Sequence, residues 1–278
     1  MDGTRVTDTT TRVLAPNPSV FTGRGTNTYL VGGEHALICI DPGPDDDAHL
    51  DAILAAAAAR GARVETIVLT HSHPDHRPLA RRLAERTGAQ VHCFDPSAGD
   101  EHAEALSDGD VVRAGDVTLV AVHTPGHTHD HLCFHDAAER ALYSGDHLLS
   151  GSTTVIIPGE GDMSDYMDSL RRVRDLAATT LYPGHGERVD DAPALIDEYI
   201  SHRKLREAQV LDAARHHDRA FIPMDLVPGL YAGYPVEVYP LAAWTVQAHL
   251  DKLVRDGHAD RATDGNDNDG PRYIARRD

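Results

Sequence analysis

Between about residues 28 and 189, short apolar runs alternate with amphipathic stretches, the pattern of an α/β domain. Residues 28–31 and 36–40 read as two strands around a Gly32-Gly33 turn, and 48–60 as an alanine-rich helix. Residues 64–70 predict a strand, and Pro78 then suits the first turn of a helix running to Thr87. Further strands are expected over 132–134, 117–123 and 141–143, a helix over 165–178, and a closing strand at 181–182. The chain then changes character. Residues 192–217 read as one long polar helix with an apolar stripe from Leu195, Ile196, Tyr199 and Ile200. A short helix over 224–231 follows, then a second over 241–255 with Ala243, Val246, Leu250, Leu253 and Val254 on one face. Gly257 suits a helix cap, and strand-like stretches around Ala259 and Tyr273 flank a segment rich in Asp, Gly and Asn. Helices followed by a β-hairpin resemble a small winged-helix unit, which divides the chain into a main domain, 1–217, and an appendage, 218–278. The Asp-rich stretch 264–269 reads as a solvated wing tip.

Composition narrows the function classes. The 278 residues carry 44 acidic against 26 basic side chains, a formal charge of -18 that favours solubility and repels polyanions at long range. That balance counts against a basic nucleic-acid track, although bound metal cations would reverse the sign locally. Cys39, Cys93 and Cys133 form no C-x-x-C pair, so they read as buried thiols rather than as a zinc ribbon or a disulfide framework. Residues 1–12 are polar with no apolar h-region, and the longest apolar run, about 52–59, is too short to span a bilayer. A cytoplasmic protein with no membrane partner is expected.

The densest chemical signal is Thr70-His71-Ser72-His73-Pro74-Asp75-His76, which leaves a strand and enters a helix. Alternate side chains of an extended segment share a face, so His71 and His73 point the same way and can grip one metal. Pro74 keeps His73 out of the helical region, and the chain then turns so that Asp75 and His76 can face a second position. Without a cation, four such side chains in so short a loop would repel or sit unpaired. Three more candidates follow strands: His127 in Pro125-Gly126-His127, Asp146 in Ser144-Gly145-Asp146, and His185 in Pro183-Gly184-His185. Each comes directly after a turn-forming glycine that lets the side chain project from a fixed point. Any one alone is a weak signal; together, in matched positions, they are a strong one.

The H-x-H-x-D-H loop, the later His, Asp and His, and Asp41 in Ile40-Asp41-Pro42-Gly43 resemble the motifs of the metallo-β-lactamase superfamily of dinuclear hydrolases, in order. The resemblance implies an αββα sandwich with a small C-terminal winged-helix domain. It places His71, His73 and His127 on a first metal and Asp75, His76 and His185 on a second, with Asp146 bridging them. Asp75 and Asp41 are the acids it implies for the catalytic centre, Asp41 steadying the ligand loop by hydrogen bonding. Histidine and carboxylate ligands without cysteine suit two zinc ions, with iron or manganese as alternatives. Asn17-Pro18-Ser19, 25–31, 166–170, 199–203, Arg206-Glu207 and the winged tail resemble one branch in particular, the lactamase-beta-like endoribonucleases. Arg77-Pro78-Leu79 departs from that pattern, standing where many members carry a small Ser/Gly-Gly step, and is expected to reshape the rim of the site. His123, His129, His131 and His147 lie beside ligands, where hydrogen-bonded neighbours are commoner than proton donors. In the family His202 and Arg203 would face the active site; on their own they read equally as exposed helix charges.

The implied reaction is attack by a hydroxide that two metals share, one of them polarising the substrate oxygen. No G-x-S-x-G nucleophile motif is present. The acidic surface favours a small ester, thioester or lactone as the partner. The branch resemblance implies endoribonuclease action on single-stranded RNA, which normally needs a basic groove. A metal-sensing DNA-binding regulator is disfavoured, because acids slightly outnumber bases from Asp218 onward and no helix carries an Arg/Lys face. The tail then reads as a packing element or a homodimer contact. A β-lactam-cleaving role is weak, since no secretion signal is read.

Overall fold

Side-chain alternation along the strands decides how the first half of the chain packs. The computed structural model describes residues 3–98, 103–262 and 270–276. A seven-stranded sheet runs in chain order through β1 (Thr4–Arg5), β2 (Thr10–Leu14), β3 (Asn27–Gly32), β4 (Ala36–Ile40), β5 (Arg63–Val68), β6 (Gln90–Cys93) and β7 (Glu104–Ala105). Strands β1 to β4 pair antiparallel and β4 to β7 parallel. Tyr29, Val31, Ile38 and Ile40 point to one face and Leu30, Leu37 and Cys39 to the other, and all are buried. This sheet is therefore covered on both sides, as its near-continuous apolar runs require. One cover is α1 (Asp47–Ala59) with α2 (Ala80–Thr87), through Leu50, Ile53 and Leu83. Helix α1 starts at Asp46, whose carboxylate accepts the His49 N–H at 2.7 Å.

The other cover is a five-stranded sheet of β8 (Val111–Ala114), β9 (Val117–His123), β10 (Leu132–Asp136), β11 (Ala141–Gly145) and β12 (Thr180–Pro183), in the order β12-β11-β10-β9-β8. Leu119, Ala121, Phe134, Tyr143 and Tyr182 complete the core between the sheets. Only β11 and β12 run parallel in this sheet. Parallel strands send their C-terminal ends to one edge. β4 with β5, and β11 with β12, therefore each deliver two loops together.

These sheets belong to one compact unit, residues 1–124, 130–154 and 172–196; the second comprises 125–129, 155–171 and 197–278. The second unit holds the start of α3 (Met163–Asp175), most of α4 (Ala192–Arg215), α5 (Pro223–Leu230), α6 (Tyr239–Arg255) and the hairpin β13 (Ala259–Arg261) with β14 (Tyr273–Ala275). Its own core gathers Val210, Ala214, Phe221, Leu226, Val246, Leu250 and Tyr273. Gly257, at φ 81°, follows α6 as the left-handed residue expected there.

Two expectations change. The first sheet begins well before residue 28, with β1 and β2, and β6 to β8 also go beyond the strands read from the sequence. Pro78 precedes α2 instead of occupying its first turn, because the Ala80 N–H closes a turn onto Arg77 O at 2.9 Å and Leu79 is the cap. The segment 264–269 lies outside the described residues. All three cysteines are buried thiols, in keeping with the sequence reading. Among the described residues no helix is long and apolar enough to cross a membrane.

Candidate metal centre

The loop after β5 is pinned before it presents any ligand. Asp41, at the end of β4, is 2% exposed. Its Oδ1 accepts the Thr70 N–H at 2.7 Å, and its Oδ2 accepts the Thr70 hydroxyl at 2.6 Å and His76 Nδ1–H at 2.8 Å. One carboxylate thus ties together the ends of two parallel strands. Because a carboxylate only accepts, His76 carries its proton on Nδ1 and presents a lone pair on Nε2. His71 follows the same logic one bond removed. The Thr70 hydroxyl spends its proton on Asp41, so at 2.9 Å it can only accept from His71 Nδ1. His185 Nδ1 faces Gly25 O at 3.3 Å, and His127 Nδ1 faces Val155 O at 2.8 Å. Four imidazoles are therefore fixed in the tautomer that leaves Nε2 as a ligand atom.

In the first unit the ligand atoms of His71, His76 and His185 converge with carboxylate oxygens. His76 Nε2 and His185 Nε2 lie 3.3 Å apart. Asp75 Oδ2 is 3.3 Å from His76 Nε2 and 3.2 Å from His185 Nε2, and Asp146 Oδ1 is 3.4 and 3.3 Å from the same two nitrogens. Asp75, His76 and His185 each offer a ligand atom within 4.8 Å of the others, and so do His71, His73 and Asp146. The two sets adjoin through Asp146. His127 stands on the turn between β9 and β10, in the 125–129 segment of the second unit.

Two lone-pair nitrogens and two carboxylates facing one another repel unless positive charge lies among them. The titration behaviour shows that demand. Burial opposes a charge on His76, yet Asp146 and Asp41 outweigh it and hold its pKa well above the ordinary value. Burial likewise opposes charge on His185, but Asp146 and Asp75 raise it to about 9. Burial pushes the Asp75 and Asp146 carboxyls up, and hydrogen bonds and charge from His76 and His185 reverse this and hold both low. A proton occupying these nitrogens competes with a cation for the same lone pairs. The nitrogen and oxygen donors, with no thiolate, fit a borderline divalent ion.

Polar residues that sequence reading left without a mechanism hold this cluster. The Thr26 hydroxyl donates to Asp75 Oδ2 at 3.0 Å, and Asn17 accepts from the Thr26 N–H and donates to its hydroxyl, each at 2.9 Å. Asn27 Nδ2 donates to Pro183 O and Gly186 O, at 2.9 and 2.8 Å, on either side of His185. His131 is fully buried; its Nε2 accepts the Asp146 N–H at 3.2 Å and its Nδ1 donates to Thr124 Oγ1 at 2.9 Å. It is a positioning residue for Asp146. His123 stacks on Phe94 at 4.1 Å, and His147 is buried with its ring 6.0 Å from that of His131. In the second unit His129 is exposed, His202 is half-buried, and Arg203 is buried with its guanidinium 5.3 Å over the Tyr166 ring.

Comparison with known proteins agrees with this geometry. A family model described as the metallo-beta-lactamase superfamily matches residues 21–185, and one for the beta-lactamase associated winged helix domain matches 223–268. The chain is 36% identical over 260 residues to the beta-lactamase-like protein 2 homolog of Caenorhabditis elegans, covering 91% of this chain and 86% of that protein. It is 35% identical over 214 residues to an atrochrysone carboxyl ACP thioesterase of Aspergillus chevalieri, covering 77% of this chain and 68% of that one. The crystal structure of a metallo-beta-lactamase family protein from Thermus thermophilus superposes with a TM-score of 0.81 at 22% identity, over 98% of this chain and all of the other, and so shares its fold. The chain belongs to the metallo-beta-lactamase superfamily and is a metal-dependent hydrolase with a C-terminal winged-helix domain.

Proposed function

We propose that this chain binds two divalent cations, zinc first among them, and hydrolyses a small-molecule thioester. What supports this is the pair of adjoining donor sets in the first unit, in which His71, His76 and His185 are locked in the tautomer that presents Nε2 to a metal. His71, His73 and His127 would hold one ion, Asp75, His76 and His185 the other, and Asp146 both. Bound there, the ions supply the Lewis acidity that activates water and polarises a carbonyl. The protein's own share is to fix the donors. Asp41 and Thr70 orient His71 and His76, Thr26 orients Asp75, and His131 orients Asp146.

Two observations favour a thioester. One relative, at 35% identity, is itself named a thioesterase. A cleft of about 250 Å³ in the first unit reaches His185 between the exposed apolar side chains Val20 and Phe21 and the Ser150 loop, room for a small acyl group. The charge of -18 adds a long-range penalty for a polyanion. The winged-helix appendage, taken as 218–278, is proposed as a packing element.

The test is turnover of an acyl thioester and of single-stranded RNA by metal-loaded protein, beside a His71→Ala/His73→Ala variant and at two salt concentrations. Thioester cleavage that ignores salt and disappears in the variant is expected. Steeply salt-sensitive RNA cleavage that disappears in the variant would instead make the chain an endoribonuclease.

A further inference from the structure

The second unit contains a cavity of about 410 Å³. Its wall is part apolar, from Met163 and Val254, and part guanidinium, from Arg255 and Arg261. Each arginine is held by an acid more buried than itself. Arg255 grips Asp162 with both terminal nitrogens, the side chains being 54% and 19% exposed; Arg261 bonds Asp251 at 2.7 Å, at 59% and 21%. Both acids have other work. Asp162 accepts the Ser164 and Asp165 N–H groups at the start of α3, at 2.8 and 3.1 Å. Asp251 accepts the Tyr273 hydroxyl at 2.5 Å. The carboxylates are thus anchors that hold the guanidinium groups at the open side of the cavity. A guanidinium carries five N–H donors, and one nitrogen of Arg261 serves Asp251.

The same cavity backs onto the loop that carries His127. Gly161 lines it, and a Cβ there would fall 2.1 Å from Gly126 O and 2.4 Å from His127 O. The Asp162 N–H donates to Gly126 O at 2.9 Å, and His129, two residues past His127, also lines the wall.

We propose that this cavity is a binding site for a small molecule with an apolar body ending in a monoanionic oxyanion, such as a carboxylate. The apolar wall receives the body, and Arg255 and Arg261 receive the end. Asp162 and Asp251 pair with the two arginines, and Asp165 and Asp256 also lie close to Arg255, so the wall can accept a single negative charge but disfavours a polyanion. A volume of this size suits a small-molecule fragment.

The experiment is calorimetric titration of the full chain as purified with the hexylamide of glutaric acid and, separately, with the methyl ester of that compound. The acid is expected to bind at least about tenfold tighter than the ester, the worth of one charge-assisted hydrogen bond. Arg261→Met and Arg255→Met should each narrow that ratio toward one. Arg261, largely exposed on a hairpin strand, can be replaced without touching the α3 cap, so it decides the matter if the Arg255 variant misfolds. Equal binding of acid and ester, binding of neither, or a preference that survives the Arg261 change would overturn the proposal. No bond is cleaved in this titration, so a failure of thioester turnover leaves the readout intact, and turnover without acid preference overturns only this binding site.

Discussion

Replacing Asp41 by Asn should weaken metal binding while leaving the backbone in place. Asp41 sits at φ 49°, a conformation that Asn tolerates better than most residues, so the change adds little strain. With the amide oxygen on the Thr70 N–H, the NH2 group faces the Thr70 hydroxyl and His76 Nδ1, both now donors. The hydroxyl can rotate to accept. His76 can keep a hydrogen bond only by moving its proton to Nε2, which removes the lone pair from the donor set. The opposite flip sets the NH2 against the Thr70 N–H, a donor that cannot reverse. Loss of one charge-assisted hydrogen bond in a buried site corresponds to about 1.5–3 kcal/mol of stability. Loss of a carboxylate that orients a ligand histidine typically lowers metal affinity about 10–100-fold. The assay is zinc competition against a chelator of known affinity, alongside urea unfolding of the metal-free protein. Wild-type zinc affinity in Asp41→Asn would mean that this carboxylate does not set the histidine tautomer.

Two other changes probe the frame and the second unit. Gly145, at φ 48°, precedes Asp146, and a Cβ there would fall 2.6 Å from Thr70 Oγ1 and 2.8 Å from His131 Nε2. Gly145→Ala should cost about 2–4 kcal/mol in urea unfolding, and a loss below about 1 kcal/mol would contradict that packing. In the second unit His249 is fully buried, and burial lowers its pKa to about 4 despite Glu207 at 3.7 Å. An unfolded histidine, at about 6.5, takes up protons that the native one refuses, so stability falls as pH drops from about 6.5 to about 4. At pH 5 the loss is about 2 kcal/mol. His249→Gln should flatten that part of the pH–stability curve, and identical slopes in the two proteins would contradict the assignment.

The ligand loop was legible because its chemistry is packed into consecutive residues: His71, His73, Asp75 and His76 carry their meaning in their spacing. Asp146 and His185 were legible because each follows a glycine at a strand end. The groups that hold them were not. Thr26 reaches Asp75 across 49 residues, and His131 serves Asp146 through a backbone N–H, a contact that no sequence spacing announces. Strand β2 was hidden for a similar reason. Its Thr10 and Thr11 look solvated, but both are buried, and the Thr10 hydroxyl lies 2.6 Å from Tyr143 OH in the other sheet. Pro78 misled because a proline suited to a helical first turn also suits the turn just before a helix. The cavity in the second unit assembles from segments around 129, 161 and 255, so nothing local could disclose it.

Two adjoining donor sets that hold two divalent ions can be counted by metal analysis of the purified chain. Inductively coupled plasma mass spectrometry should find about two equivalents of zinc, iron or manganese per chain, with Asp146→Ala reducing retention at both sites. A stoichiometry of one or below after supplying zinc in excess would mean that the two donor sets do not hold two ions.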